Sequence, residues 1–138
     1  MTSYLLDTDA VIDYFKGYQP TIGLIQQLSR QGDELCSCDI VVAEVHAGLT
    51  AAERPQGDAF FSALRFVPTS PAAARRAGQW RFEYARRGKQ LPTTDCLVAA
   101  IAHEHLMTVV TGNRADFPMP ELSILLLSRD IVDKGGGA

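Results

Sequence analysis

The stretch Tyr4-Leu5-Leu6-Asp7-Thr8-Asp9 decides how this chain is read. Large apolar residues run straight into carboxylates. So short a run with so abrupt a polar end suits a buried parallel strand better than an amphipathic helix. A strand of that kind delivers its last residues to the carboxyl edge of a sheet, where open α/β folds place their sites. The carboxylates there have two readings. In one, Asp7 or Asp9 caps a helix that starts at Ala10 or Val11. In the other, Asp7 is the first ligand of a metal site on which further acids converge. The stretch alone leaves both open.

Downstream, Ala10 to Phe15 reads as a short helix closed by Gly17. Pro20 can open the next, with Ile22, Leu24, Ile25 and Leu28 as its buried face and Gly32 as its stop. Glu34 to Cys38 is a second strand. Asp39 can cap a helix from Ile40 to Leu49, with Glu44 inside it. Pro55 to Leu64 is a further helix, with Phe60, Phe61 and Leu64 inward. Phe66-Val67-Pro68 is a short extended piece. Pro71 opens a helix that runs to Arg87, before Gly88. Pro92-Thr93-Thr94-Asp95 carries a hydroxyl cap and a first-turn acid, so a helix follows to His105. Met107 to Thr111 and Ser123 to Leu127 are strands around a polar turn. Extended runs alternating with helices predict an α/β fold with a mainly parallel central sheet flanked by helices.

The chain has 138 residues, enough for one domain with a real core. Its hydrophobic fraction of 46% is that of a globular protein. No apolar run approaches the ~20 residues of a membrane span, and Asp7, Asp9 and Asp13 interrupt any leader-like start. No membrane association and a cytoplasmic location are expected. Three cysteines (Cys36, Cys38 and Cys96) lack framework spacing and read as small buried hydrophobes.

Charge is segregated. Arg65 to Lys89 holds seven basic residues and one acid, a local +6 in a chain of net charge -3. Arg75, Arg76, Arg81, Arg86, Arg87 and Lys89 form either a nucleic-acid contact or a solvated helix face. Trp80 and Tyr84, four apart among them, either stack on bases or belong to the core or an interface.

Four acids occupy positions that can reach one sheet edge. Asp7 ends a strand, Glu44 sits in a helix directly after another, Asp95 opens a helix, and Asp116 follows a strand end. Hard oxygen donors without a nearby His or thiol suit Mg2+ or Mn2+. Grouped carboxylates raise one another's cost of ionising, and a divalent cation removes that cost. Such an ion can hold a phosphate oxygen, lower the pKa of a water and stabilise a leaving oxygen. Hydrolysis of a phosphate ester follows as the reaction class. His103 and His105 face different sides of their helix, and His46 lies off the face of Glu44, so none completes a site.

These residues resemble the PIN-domain ribonucleases of the VapC toxin type, found in bacterial toxin–antitoxin pairs. The matching pieces are Leu5-Leu6-Asp7-Thr8-Asp9-Ala10-Val11-Ile12, Glu44 and Gly48 in Val41 to Gly48, Asp95 in Thr94 to Ala102, and Thr111-Gly112-Asn113-Arg114-Ala115-Asp116-Phe117. Each is weak alone; four in order are specific. The resemblance implies a single PIN-like domain over residues 1–132; the Gly-rich composition of the end reads 133–138 as a flexible C-terminal tail. It implies an Mg2+/Mn2+ site of Asp7, Glu44, Asp95 and Asp116, metal-dependent endonucleolytic cleavage of RNA, a homodimer, and a cognate antitoxin that blocks the site. Thr8 and Asn113 would be supporting residues. Asp9 stands where the family often has Asn or Ser, and is an extra acid beside the site. Arg114 is a candidate phosphate contact. The apolar residues between Ala10 and Leu28, with Phe60 and Phe61, would line a partner groove.

Two other readings compete. Asp7-Thr8-Asp9-Ala10-Val11 also fits the opening of haloacid-dehalogenase-type phosphatases, in which the first Asp is a nucleophile. That chemistry needs a downstream lysine, and the chain offers only Lys16, Lys89 and Lys134. The other is a PIN-like interaction domain that has lost its chemistry.

Overall fold

Ser3–Leu6 forms β1, the middle strand of a five-stranded sheet, in a computed structural model that describes residues 1–129. The expected tail at 133–138 lies outside the described residues. After β1 come α1 (Thr8–Phe15), α2 (Gln19–Arg30) and β2 (Glu34–Cys38). Then follow α3 (Asp39–Ala47), α4 (Arg54–Ser62), β3 (Arg65–Val67) and α5 (Pro71–Arg86). The last elements are α6 (Thr93–Glu104), β4 (Thr108–Thr111), a 3-10 turn (Arg114–Asp116) and β5 (Ser123–Leu126).

The strand order is β3-β2-β1-β4-β5, and every pairing is parallel. The mainly parallel sheet read from the sequence is therefore wholly parallel among the described residues. From β1 the chain moves outward through β2 to β3, then crosses back to place β4 on the other side of β1. The reversal falls between β1 and β4, and a crevice opens outside the carboxyl ends of strands at such a point. Leu6 pairs with Val110 there, so Asp7 and Thr111 emerge side by side.

Burial explains the alternation. Leu5, Leu6, Val109 and Val110 are fully buried, which is why these strands read as unbroken apolar runs. Trp80 and Tyr84 are buried too, on the α5 face that packs against α6. Their four-residue spacing marks core, so they are not a platform for bases. The three thiols are buried and free, and burial pushes Cys36 and Cys38 up to about 11. Phe60, Phe61 and Leu64 are only half-buried; Phe60 packs on the rings of Tyr14 and Phe15 at 4.9 and 5.3 Å.

Helix ends differ from the sequence reading in three places. α1 begins at Thr8, with Asp7 at the N-cap position, yet the Asp7 side chain makes no capping bond. Asp39 lies inside the first turn of α3 instead of before it, and its carboxylate accepts from Thr69 as well as Ile40. α6 follows Pro92 with no side-chain cap. In the first two the carboxylate takes a tertiary partner, Thr111 for Asp7 and Thr69 for Asp39. The glycine stops hold: Gly32 and Gly88 have φ of 83° and 85°, which glycine adopts without steric cost.

Candidate active site

Asp7 sits where β1 gives way to α1. Its backbone N–H donates to Val110 O at 3.0 Å, continuing the ladder to β4. Its Oδ2 accepts the hydroxyl of Thr111, at the end of β4, over 3.0 Å. The side chain is thus held between two strand ends and is 7% exposed. The next residue, Thr8, donates its hydroxyl to Glu44 Oε1 at 2.7 Å and draws the exposed Glu44 from α3 toward the same edge. Asp95 enters from the first turn of α6, where the helix dipole favours a negative charge. Asp116 ends the 3-10 turn, and Asn113 Nδ2 donates to its Oδ1 at 3.2 Å. Asn113 Oδ1 in turn accepts from Ala115 N, capping that turn.

Asp7, Thr8, Asp9, Glu44, Asp95 and Asp116 line one open cavity of about 500 Å3. All four expected acids line it, together with Thr8 and Asp9 of the opening motif. Asp9, whose role the sequence left open, accepts the Gly112 backbone N–H on Oδ2 at 2.7 Å. Its Oδ1 is buried without a hydrogen-bond partner among the described residues.

The electrostatics are those of an anion cluster in which Arg129 faces Asp9 from 3.9 Å. Burial, then the charge of Asp9, pushes Asp7 up to about 7, against the Thr8 N–H and the Thr111 hydroxyl. Burial, then Asp116 and Glu44, pushes Asp95 up to about 6. Asp9 is raised as well, chiefly by burial. Perturbed carboxylates grouped in a cleft mark a functional site. The donor set fits a hard divalent cation: oxygen donors only, an orphaned carboxylate oxygen, and charges that destabilise one another until a cation joins them. Among the described residues no group of three or more His, Cys, Asp or Glu side chains is already arranged to hold a metal ion. Thr8 holds Glu44 and Asn113 holds Asp116, each by one hydrogen bond.

The basic residues do not form one patch. Arg75 and Arg76 line a depression with Gln79, His103 and Glu104. Glu104 is about 14 Å from Asp95 along α6, at roughly 1.5 Å per residue. Those two arginines therefore lie toward the opposite end of the helix pair. Arg86 ends α5, Arg87 caps it, and Lys89 lies in the loop that leads to α6, at the other end of α5 from Arg75 and Arg76. Arg81 is structural, its Nε donating to Leu91 O at 3.0 Å. Arg76 and Arg87 cover the rings of Trp80 and Tyr84 at 5.4 and 4.2 Å. Arg114 is exposed in the turn that carries Asp116.

None of the three histidines lines the carboxylate cavity. Lys16 closes α1 and Lys89 follows α5, so neither supplies the lysine a phosphatase of the competing type requires. Lys134 lies outside the described residues. Thr111, Gly112 and Arg129 went unrecognised in the sequence. A hydroxyl ending an apolar strand was the visible signal for Thr111; Arg129 carries none, because its partners Asp13 and Asp9 lie more than a hundred residues away.

Among the described residues no helix is long and apolar enough to cross a membrane. Residues 4–118 match the family model described as PIN domain. The chain is similar to ribonuclease VapC19 of Mycobacterium tuberculosis, with 29% identity over 119 residues, covering 86% of this chain and 95% of that protein. Its fold is similar to DNA-bound VapBC from Salmonella typhimurium, with a TM-score of 0.77 at 28% identity, covering 91% and 98% of the two chains. VapBC2 from Rickettsia felis, bound to a promoter DNA fragment, matches with a TM-score of 0.80 at 23% identity, covering 92% and 100%. A parallel sheet with its carboxylates gathered at the β1/β4 switch, over a span that the family model matches, establishes that the chain belongs to the PIN domain family.

Proposed function

We propose that this chain is a metal-dependent endoribonuclease, the toxin of a type II toxin–antitoxin pair, with Asp7, Glu44, Asp95 and Asp116 as its catalytic metal ligands. The observation that carries the reading is the convergence of these acids on one cavity, with Asp7 and Asp95 pushed up to about 7 and 6. The resemblance to proteins named as VapC ribonucleases supports the same activity. Structural relatives solved as toxin–antitoxin complexes support the partner.

A bound Mg2+ or Mn2+ supplies Lewis acidity toward the phosphate and a nucleophilic water at neutral pH. The chain's own residues do the positioning. Thr111 and the β1–β4 ladder hold Asp7 in one rotamer. Thr8 holds Glu44, and Asn113 holds Asp116 at the rim of the cavity. The N-terminal end of α6 favours the ionised form of Asp95. Arg86, Arg87, Lys89 and Arg114 are the side chains we assign to neutralising the RNA backbone.

An apolar groove of about 710 Å3 runs along Tyr14, Phe15, Ile25, Phe60 and Leu64, between α1, α2 and α4. We assign it to an amphipathic segment of the antitoxin, which its aromatic and aliphatic lining suits. The active assembly is a homodimer in the cytoplasm.

Cleavage of a labelled RNA pool tests the activity, with Mn2+, Mg2+ or EDTA and beside an Asp7→Asn variant. Discrete fragments that need metal and vanish in the variant are expected. An antitoxin-free protein that cuts nothing with either metal is instead an interaction domain that has lost its chemistry.

A further inference from the structure

Arg129 follows β5, and its guanidinium reaches back to α1. Nη1 donates to Asp13 Oδ2 at 2.6 Å, and Nη2 lies 3.9 Å from Asp9 Oδ2. Asp13 is fixed in place by a second donor, the hydroxyl of Thr21, at 2.8 Å. Thr21 is itself buried, so Asp13 is a rigid anchor. The guanidinium also lies over the Tyr18 ring, 5.7 Å from its centre. Asp9 Oδ2 accepts the Gly112 N–H at 2.7 Å, and Gly112 begins the segment carrying Asn113 and Asp116. A Cβ at Gly112 would lie 2.8 Å from Asp9 Oδ2 and collide with the guanidinium, so the three groups are in close contact.

We propose that Arg129 is a positioning residue: anchored on Asp13, it keeps Asp9 on the Gly112 amide and thereby sets the turn that brings Asn113 and Asp116 to the cavity. The physical need is clear from the surroundings. Asp9 is two residues from Asp7 and close to Asp13, so repulsion drives its carboxylate out toward solvent. A guanidinium shared between Asp9 and Asp13 removes that repulsion. Arg129 does not line the cavity itself, so Asp7, Glu44, Asp95 and Asp116 keep their charge for a cation. The consequence for catalysis rests on the ribonuclease reading; the clamp itself is formed by the chain's own side chains.

The test is amide hydrogen exchange at Gly112 in the metal-free full chain, for wild type, Arg129→Ala, Asp13→Asn and the double variant. Mn2+ affinity, kcat and KM for a labelled RNA are measured on the same four proteins. Either single variant is expected to speed Gly112 exchange about tenfold, and the double variant to add nothing further. Mn2+ affinity falls about tenfold with either variant, as for loss of a group that orients ligands. The rate constant kcat falls about tenfold while KM stays within about twofold. Arg129→Gln replaces the alanine variant if that variant fails to fold. Unchanged Gly112 exchange in Arg129→Ala overturns the proposal, as do effects that add in the double variant. So does a loss of thermal stability with Gly112 and kcat unmoved, which marks a plain tether. Wild type that cuts no RNA while its Gly112 exchange still depends on Arg129 overturns the ribonuclease reading and leaves the clamp standing.

Discussion

The hydroxyl of Thr111 donates to Oδ2 of Asp7 over 3.0 Å, joining the ends of β4 and β1 across 104 residues of sequence. That bond opposes the burial that pushes Asp7 up to about 7. Thr111→Val keeps the shape and removes the donor. Asp7 then rises further, so the alkaline shift of the pH–rate profile is the expected result. The loss of stability should be about 1–2 kcal/mol by denaturant unfolding. An unshifted profile would show that the bond does not govern Asp7.

Metal-free stability should fall as pH rises. Asp7 titrates near 7 in the folded chain against an ordinary value of 3.8, so between those values the folded state holds more protons than the unfolded one. Stability is then full below the ordinary value and is lost as pH climbs toward 7. Asp95, raised to about 6, acts in the same direction. In EDTA the melting temperature should drop between about pH 5 and pH 7.5, and Mn2+ should restore it at the upper end. Asp7→Asn should flatten the dependence. A metal-free protein that grows more stable over this range contradicts the assignment.

The split of the basic residues has its own signature. Each phosphate contact on a single strand contributes a slope of about 0.7 in log K against log salt. Replacing Arg86, Arg87 and Lys89 by alanine should flatten the RNA-binding slope by about 2. Replacing Arg75 and Arg76, which line the distant depression with His103 and Glu104, should change it little. Equal effects of the two sets would return the whole of α5 to the binding surface.

Phe60 tests the partner groove. It packs on Tyr14 and Phe15 and lines the groove wall, away from the carboxylates. Phe60→Asp should weaken binding of the purified neighbouring-gene product by about 2 kcal/mol or more, read by calorimetry. RNA cleavage should stay within about twofold of wild type. Unchanged binding would place the partner elsewhere on the chain.

Much of the architecture was legible because it is locally encoded. Apolar runs such as Tyr4-Leu5-Leu6 and Met107-Thr108-Val109-Val110 announce strands buried on both faces, and Trp80 and Tyr84 repeat at the period of one helix face. The four acids could be ranked as site candidates because strand ends and helix starts are visible in sequence. Helix starts were less legible. Asp7 and Asp39 have the residue type of a cap, yet their carboxylates bond Thr111 and Thr69 instead. Residue type alone cannot show which of two available donors a short acidic side chain takes.

By itself, the sequence determined the alternation of strands and helices, the apolar faces, and the acids at element boundaries, since all follow from spacing over one or two turns. Only the tertiary structure decided that the strand order reverses between β1 and β4, that Asp9 grips Gly112, that Arg129 backs Asp9, and that the basic residues divide between two ends of α5. Those relationships join groups separated by many residues. They depend on strand order and packing, which no local period records, and a charge placed on a helix carries no sign of which end of its neighbour it will meet.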